Sequence, residues 1–222
     1  MVKPITRLLF FLVIILLLAG CQMNSNENEP VLKKPSEKKE EELPKTRAFQ
    51  NAFTRGFIAT TDEVENGYYT FTSKTERYIM LFPECGSISE ESYSNEESKS
   101  ESFLTGIKNK DLPNASLSVS YSDDTSNTAK GIKYSLKFLK SQAVMKEPFQ
   151  QNKTNDSVIY WSSFTIDQDA YGYGAYIRPH KGKGGIEMIY SVKCDSAAKC
   201  GFNNEVKKQA TKIFSSIKFH YK

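Results

Sequence analysis

The residues in this chain best equipped for chemistry are its four cysteines. Cys21 follows Leu18, Ala19 and Gly20 at the end of an apolar run, which leaves Cys85, Cys194 and Cys200. Cys194 and Cys200 are close enough in sequence to pair as a disulfide in an oxidising compartment, with Cys85 left over as a buried or reactive thiol. No Cys-x-x-Cys spacing is present, and His180 and His220 stand alone, so neither a metal ligand set nor a bound cofactor is expected. Neither histidine has a GxSxG-like nucleophile context, so no catalytic residue is assigned.

Weaker candidates for a ligand surface cluster between residues 158 and 194. Trp161 is the sole tryptophan, and its ring could serve as core or as a stacking platform for a sugar. Asp167 and Asp169 form a DxD pair in a turn, a spacing that can ligate a cation but is common turn chemistry. Gly172 and Gly174 fall on one face of a strand and leave a shallow depression, to be filled by a packed helix or by a ligand. The tip Lys181-Gly182-Lys183-Gly184-Gly185 lacks the order of a phosphate-binding GxxxxGK[ST] loop, although it could touch an anionic polymer. Residues 87–102 carry Glu90, Glu91, Glu96, Glu97 and Glu101 among serines. Their spacing matches no EF-hand, and a mobile solvated loop is the expectation.

The N-terminus carries an address. Lys3 and Arg7 precede an uninterrupted apolar stretch from Leu8 to Leu18, a charged region followed by an apolar one that is too short to span a membrane as a helix. Leu18-Ala19-Gly20-Cys21 resembles the bacterial lipobox. That resemblance implies cleavage before Cys21 and alkylation of its thiol by a diacylglycerol unit, with residues 1–20 as the signal peptide. Two acyl chains then hold the protein at the membrane. Loss of Lys3 and Arg7 takes the formal charge from +4 to +2, which removes any global electrostatic case for nucleic acid. Residues 22–45 are rich in Asn, Glu, Lys and Pro with little to bury, and read as a disordered tether. The organisation expected is residues 1–20 as leader, 21–46 as lipidated tether and 47–222 as one domain.

Within that domain the elements follow from periodicity. Phe49, Ala52, Phe53 and Phe57 recur at helical spacing after Thr46, a candidate N-cap. Tyr68–Thr72 and Arg77–Phe82 form a hairpin, and the second strand is apolar on both faces. Ser116–Ser122 alternates with Leu117, Val119 and Tyr121 inward. Ile132, Leu136, Leu139 and Ala143 make an amphipathic helix capped at Ser126 or Asn127 and stopped by Pro148. Val158–Ile166 is a strand, Tyr171–Ile177 and Ile186–Cys194 form a second hairpin, Asn203 or Asn204 caps a last helix, and Ile217–Tyr221 closes as a strand. Residues 199–222 carry six Lys against Glu205, a solvated face or a contact for anionic lipid or wall polymer.

Hairpins demand antiparallel pairing, and strands apolar on both faces demand cover on each side. The class expected is therefore α+β, an antiparallel β-sheet flanked by helices on both faces. The hairpin running into Pro83 and the final segment Ile213-Phe214-Ser215-Ser216-Ile217-Lys218-Phe219 resemble the α/β/α sandwich of PsbP-like and DcrB-like proteins. The resemblance spans roughly residues 47–222 and implies accessory or binding roles rather than catalysis. The function expected is a lipid-anchored extracytoplasmic protein of the cell membrane with a non-catalytic role, meeting an envelope protein or wall polymer. A small-ligand or ion receptor and an envelope hydrolase are the alternatives. Nothing in the sequence speaks to oligomeric state.

Overall fold

A computed structural model describes residues 34–167, 169–194 and 201–220. The leader, Cys21, the tether up to residue 33 and Cys200 lie outside the described residues. The elements in order are α1 (Arg47–Gln50), α2 (Ala52–Arg55), β1 (Tyr68–Thr72), β2 (Tyr78–Pro83), β3 (Gly86–Ile88), β4 (Ser94–Glu96), β5 (Ser100–Ile107), β6 (Ala115–Ser122), α3 (Ala129–Gln142), β7 (Gln150–Lys153), β8 (Ser157–Ile166), β9 (Ala170–Pro179), β10 (Gly185–Lys193), α4 (Asn204–Ser215) and β11 (Lys218–Phe219).

The class is α+β, as the pattern of hairpins and helices requires, but the strands divide into two antiparallel sheets instead of one. The small sheet runs β1-β2-β11, and the large one runs β3-β5-β6-β10-β9-β8-β7 with β4 also on β5. A single cross-strand row shows why the large sheet has an inner face. Trp161, Ala175, Met188, Val119 and Phe103 are register partners across five strands, and all five belong to the main core. Because side chains alternate along each strand, the next row, Ser162, Gly174, Ile189, Ser118 and Leu104, points the opposite way. The small sheet and α4 supply the other wall of the main core through Phe71, Tyr78, Phe82, Val206, Ile213 and Phe214. On the outer face α3 packs Leu139, with Ala143 and Met145 just beyond its end, against Phe164 and Tyr176.

Several elements depart from the sequence expectations. Residues 87–102 are not a loop: they supply β3, a 3-10 turn at Glu90–Ser92, β4 and the start of β5. Their acidic residues stay solvated except Glu101, which is only 1% exposed. The opening helix is two single turns, broken at Asn51, whose side chain accepts hydrogen bonds from Thr54 N and Thr54 Oγ1 at 2.7 and 2.8 Å. Thr46 makes no side-chain cap. Thr128, and neither Ser126 nor Asn127, caps α3 by accepting from Gly131 N at 3.2 Å. Of β2, Tyr78, Met80, Phe82 and Pro83 are buried, while Ile79 and Leu81 are half-buried. The segment at 34–43, tether-like in composition, forms 3-10 turns at Pro35–Glu37 and Glu40–Glu42 with Pro35 and Leu43 buried. Lys38 Nζ donates to Thr61 Oγ1 at 3.0 Å, tying this segment to the domain.

Glu101 joins the two sheets. From β5 of the large sheet its carboxylate accepts from Ser73 Oγ at 2.7 Å, Lys74 N at 2.9 Å, Tyr78 Oη at 2.8 Å and Tyr93 Oη at 3.0 Å. Ser73, Lys74 and Tyr78 belong to the β1–β2 hairpin, so one carboxylate sets the small sheet against the large one. Four donors offset the cost of desolvating the group. Burial, and then the Glu101 charge, hold the Tyr78 and Tyr93 phenols above their ordinary range.

Glu101→Leu leaves four donors without their acceptor and is expected to lower unfolding free energy by about 3 kcal/mol, read by urea denaturation. Glu101→Gln, which keeps one acceptor, should lose less. Since folded phenol pKa values are raised, their contribution is fully present below about pH 10 and is lost as pH rises further. Stability of the wild type should therefore fall in the alkaline range, in step with the tyrosinate absorbance of Tyr78 and Tyr93.

Candidate functional site: a groove beside α3

The helix α3 covers only part of the outer face. Its apolar stripe seats on β8 and β9, where Gly174 makes room: a Cβ there would meet the Met145 methyl group and lie 3.6 Å from Leu139 Cδ1. The outer face of β6 carries a row of hydroxyls, Ser116, Ser118, Ser120 and Ser122, of which Ser120 is exposed and the others half-buried. Between α3 and this terrace runs a groove of about 610 Å³.

The groove is built from three layers of cause. Its floor is formed by Glu187 and Gly185 of β10 with Ser120 and Ser122 of β6, and Tyr176 of β9 lies buried beside Glu187 as its register neighbour. Its end is closed where the loop before α3 meets the β9–β10 tip: Asn127 Nδ2 donates to Gly182 O at 3.2 Å and Gly184 O at 2.9 Å, and Gly184 N donates to Thr125 O at 2.8 Å. The corner is tight enough that a Cβ on Gly131 would lie 2.7 Å from Ser126 Cβ. The rim is aromatic: Tyr134 and Phe138, four residues apart and off the buried stripe of α3, are 72% and 47% exposed.

Glu187 is the electrostatic centre of the floor. It is half-buried, and no hydrogen bond to its carboxyl is formed by a described residue. The adjacent Tyr176 hydroxyl is committed elsewhere, donating to Asn127 Oδ1 at 2.9 Å. Burial pushes the Glu187 carboxyl up to about 7 and the Tyr176 phenol up to about 12. The other acid at the groove, Asp124, pairs with Lys183 at 3.5 Å. The site therefore offers a carboxyl that changes charge near neutrality, beside hydroxyls and two exposed rings.

The residues singled out from sequence lie elsewhere. Trp161 is on the inner face, 6% exposed, with Tyr173 at 6.1 Å and Lys207 Nζ 5.0 Å from its ring. It is core, not a surface platform. Gly172 and Gly174 face outward, but Phe164 and Met145 fill the depression, so no ligand surface is open there. Asp167 and Asp169 are exposed in the β8–β9 turn, where Asp169 N donates to Ile166 O at 3.0 Å and Asp167 takes a φ of 45°. No group of three or more metal-capable side chains occurs among the described residues. Cys194 is disulfide-bonded, and Cys200 lies outside the described residues. Cys85 is a free, half-buried thiol 3.6 Å from Asn109 Oδ1, its pKa raised by burial. His180 Nε2 is 2.8 Å from Thr154 O, while His220 N donates to Arg77 O at 2.7 Å. On α4, Lys212 pairs with Glu65 at 2.6 Å and Lys208 with Glu205 at 3.9 Å. Tyr134, Phe138 and Glu187 are the functional candidates that sequence reading missed. The available signal was two aromatics at i,i+4 outside the stripe of an amphipathic helix.

Among the described residues, no helix is long and apolar enough to cross a membrane. The family model described as "Putative lipoprotein YvcA" matches residues 44–218. The chain is 38% identical over 82 residues to the protein of the same description from Bacillus subtilis (strain 168), a match spanning 34% of each chain. A crystal structure from Bacteroides thetaiotaomicron VPI-5482 aligns with a TM-score of 0.42 at 14% identity, over 69% of this chain and 48% of that one.

The folded Glu187 carboxyl holds its proton more tightly than the unfolded one, which titrates near ~4.3. Its contribution to stability is fully present below about pH 4 and is lost as pH rises through about 7. The urea midpoint of the wild type should decline between pH 5 and pH 8, and Glu187→Gln should flatten that decline. Gly174→Ala is expected to cost about 1–3 kcal/mol by overpacking. Met145→Ala in the same chain should recover part of the loss if these two residues share one space, a coupling read by a double-mutant cycle.

Proposed function

The chain belongs to the YvcA lipoprotein family, and we propose that it is a lipid-anchored accessory protein that presents the groove beside α3 to a ligand of the cell envelope. The observation that carries this reading is the exposure of Tyr134 and Phe138 on the rim of a groove whose floor holds Glu187, a carboxyl to which no described residue donates a hydrogen bond. Exposed aromatic side chains grouped at a concave, polar-floored site are the usual makings of recognition. Attachment is assigned to a diacylglycerol on Cys21, in keeping with the lipobox-like Leu18-Ala19-Gly20-Cys21 and with the family. The PsbP-like and DcrB-like resemblance supports an accessory role, and binding without turnover is the role proposed for the domain. Of the alternatives, a small-ligand receptor is favoured by the groove itself.

Cys21→Ser is expected to abolish incorporation of labelled palmitate and to leave residues 1–20 attached, both read by mass spectrometry. A photo-crosslinking residue at Tyr134 in the full lipidated chain should capture an envelope component in native membranes. The same residue at Phe202, an exposed aromatic away from the groove, should not. Equal capture from both positions, or from neither, would remove the groove from the function.

A further inference from the structure

The geometry points to an organic ammonium compound as the ligand class of the groove, its charged nitrogen on the Glu187 carboxylate and its apolar body against Tyr134 and Phe138. This rests on the groove being the functional site and adds what it takes.

A half-buried carboxyl is costly to maintain unless donors surround it. Its register neighbours do not meet that need: Tyr176 spends its hydroxyl on Asn127, and no described residue bonds Glu187 from Ser120 or elsewhere. In the free protein solvent fills that role, so a ligand that displaces water from the floor must itself bring a donor, and a cation is the donor that gains most from a carboxylate in a partly dry site. Electron-rich ring faces nearby favour the same sign of charge. Exposed Tyr134 and Phe138 supply two such rings and the apolar contact for a hydrocarbon body.

Other charged and titratable groups surround the site. From α3 come Lys130 and Tyr134, from the loop before it Asp124, from β9 Tyr176 and, two residues along the same face, Arg178, and from the β9–β10 tip Lys183. Lys183 and Asp124 pair with each other. Lys130 is solvent-exposed, where its charge is screened. Lys130, and Arg178 beside Tyr176 on the outer face of β9, would favour an anion, and the test includes that outcome.

The probes are phenethylammonium, its neutral counterpart 2-phenylethanol and its anionic counterpart phenylacetate, titrated calorimetrically into the full-length chain in detergent. Phenethylammonium stays protonated between pH 6 and pH 8, so changes in its binding report the protein. It should bind one to one, and more tightly than either counterpart. Since the cation selects the ionised carboxylate and the free group titrates at about 7, its apparent affinity should rise about tenfold from pH 6 to pH 8. Binding at pH 7 should release protons, seen as an enthalpy that varies with the ionisation heat of the buffer. Glu187→Gln, checked for folding by thermal unfolding, should abolish both the pH dependence and the preference over 2-phenylethanol. Tyr134→Ala with Phe138→Ala should weaken binding and leave the pH dependence in place.

Equal binding of the alcohol, stronger binding of phenylacetate, a flat pH profile, or no phenethylammonium binding at millimolar concentration would each overturn the ammonium assignment. If crosslinking from Tyr134 still captures an envelope component, the ligand class alone has failed. If that capture is also absent, the groove reading fails with it.

Discussion

The domain is organised around a strand that is dry on both faces. From Tyr171 to Ile177 every residue of β9 is buried, a condition that a single packed layer cannot meet. One face is closed by the main core beneath the small sheet and α4, the other by α3. The second closure is possible because Gly172 and Gly174 carry no side chains at the points where Phe164 and Met145 press in. A helix seated that closely over β8 and β9 cannot also cover β6, and the hydroxyl terrace beside it is the result. The groove is thus a geometric remainder of keeping β9 dry.

Two glutamates show how the same chemistry is put to different ends. Glu101 sits between the sheets with four donors in hydrogen-bonding range, and its burial is offset locally by the hairpin it holds. Glu187 is left in the floor of the groove without such donors, and burial raises its pKa to about 7. The first is a structural junction whose partners are all present. The second keeps an unmet electrostatic demand at a site open to solvent, a pattern more often found where a protein meets something else.

Elements whose signal is local were legible in the sequence. The two hairpins, the amphipathic helices and the Asn203 cap, whose side chain accepts from Glu205 N and Val206 N, follow from period and capping chemistry within a few residues. Residues 87–102 were misread because Ser and Glu dominate their composition, and β4 is exposed along its whole length. β4 and β5 form a tight hairpin, Glu96 opposite Ser100, with no apolar alternation on β4 to mark it, and the pairing of β3 with β5, Ile88 opposite Thr105, is a nonlocal event that composition does not encode. The packing of 34–43 was hidden for the same reason, since two buried residues, Pro35 and Leu43, carry it within a charged tract.

Sequence alone determined the α+β class and most element types, because each depends on neighbours along the chain. Tertiary structure decided which polar side chains are buried and what meets them. Ser73 and Tyr78 reach Glu101 across 28 and 23 residues, and the groove joins residues from β6, β10 and α3. Trp161 became core and Tyr134 a rim for one physical reason: exposure is set by what packs across from a residue, and the partners lie far away in sequence.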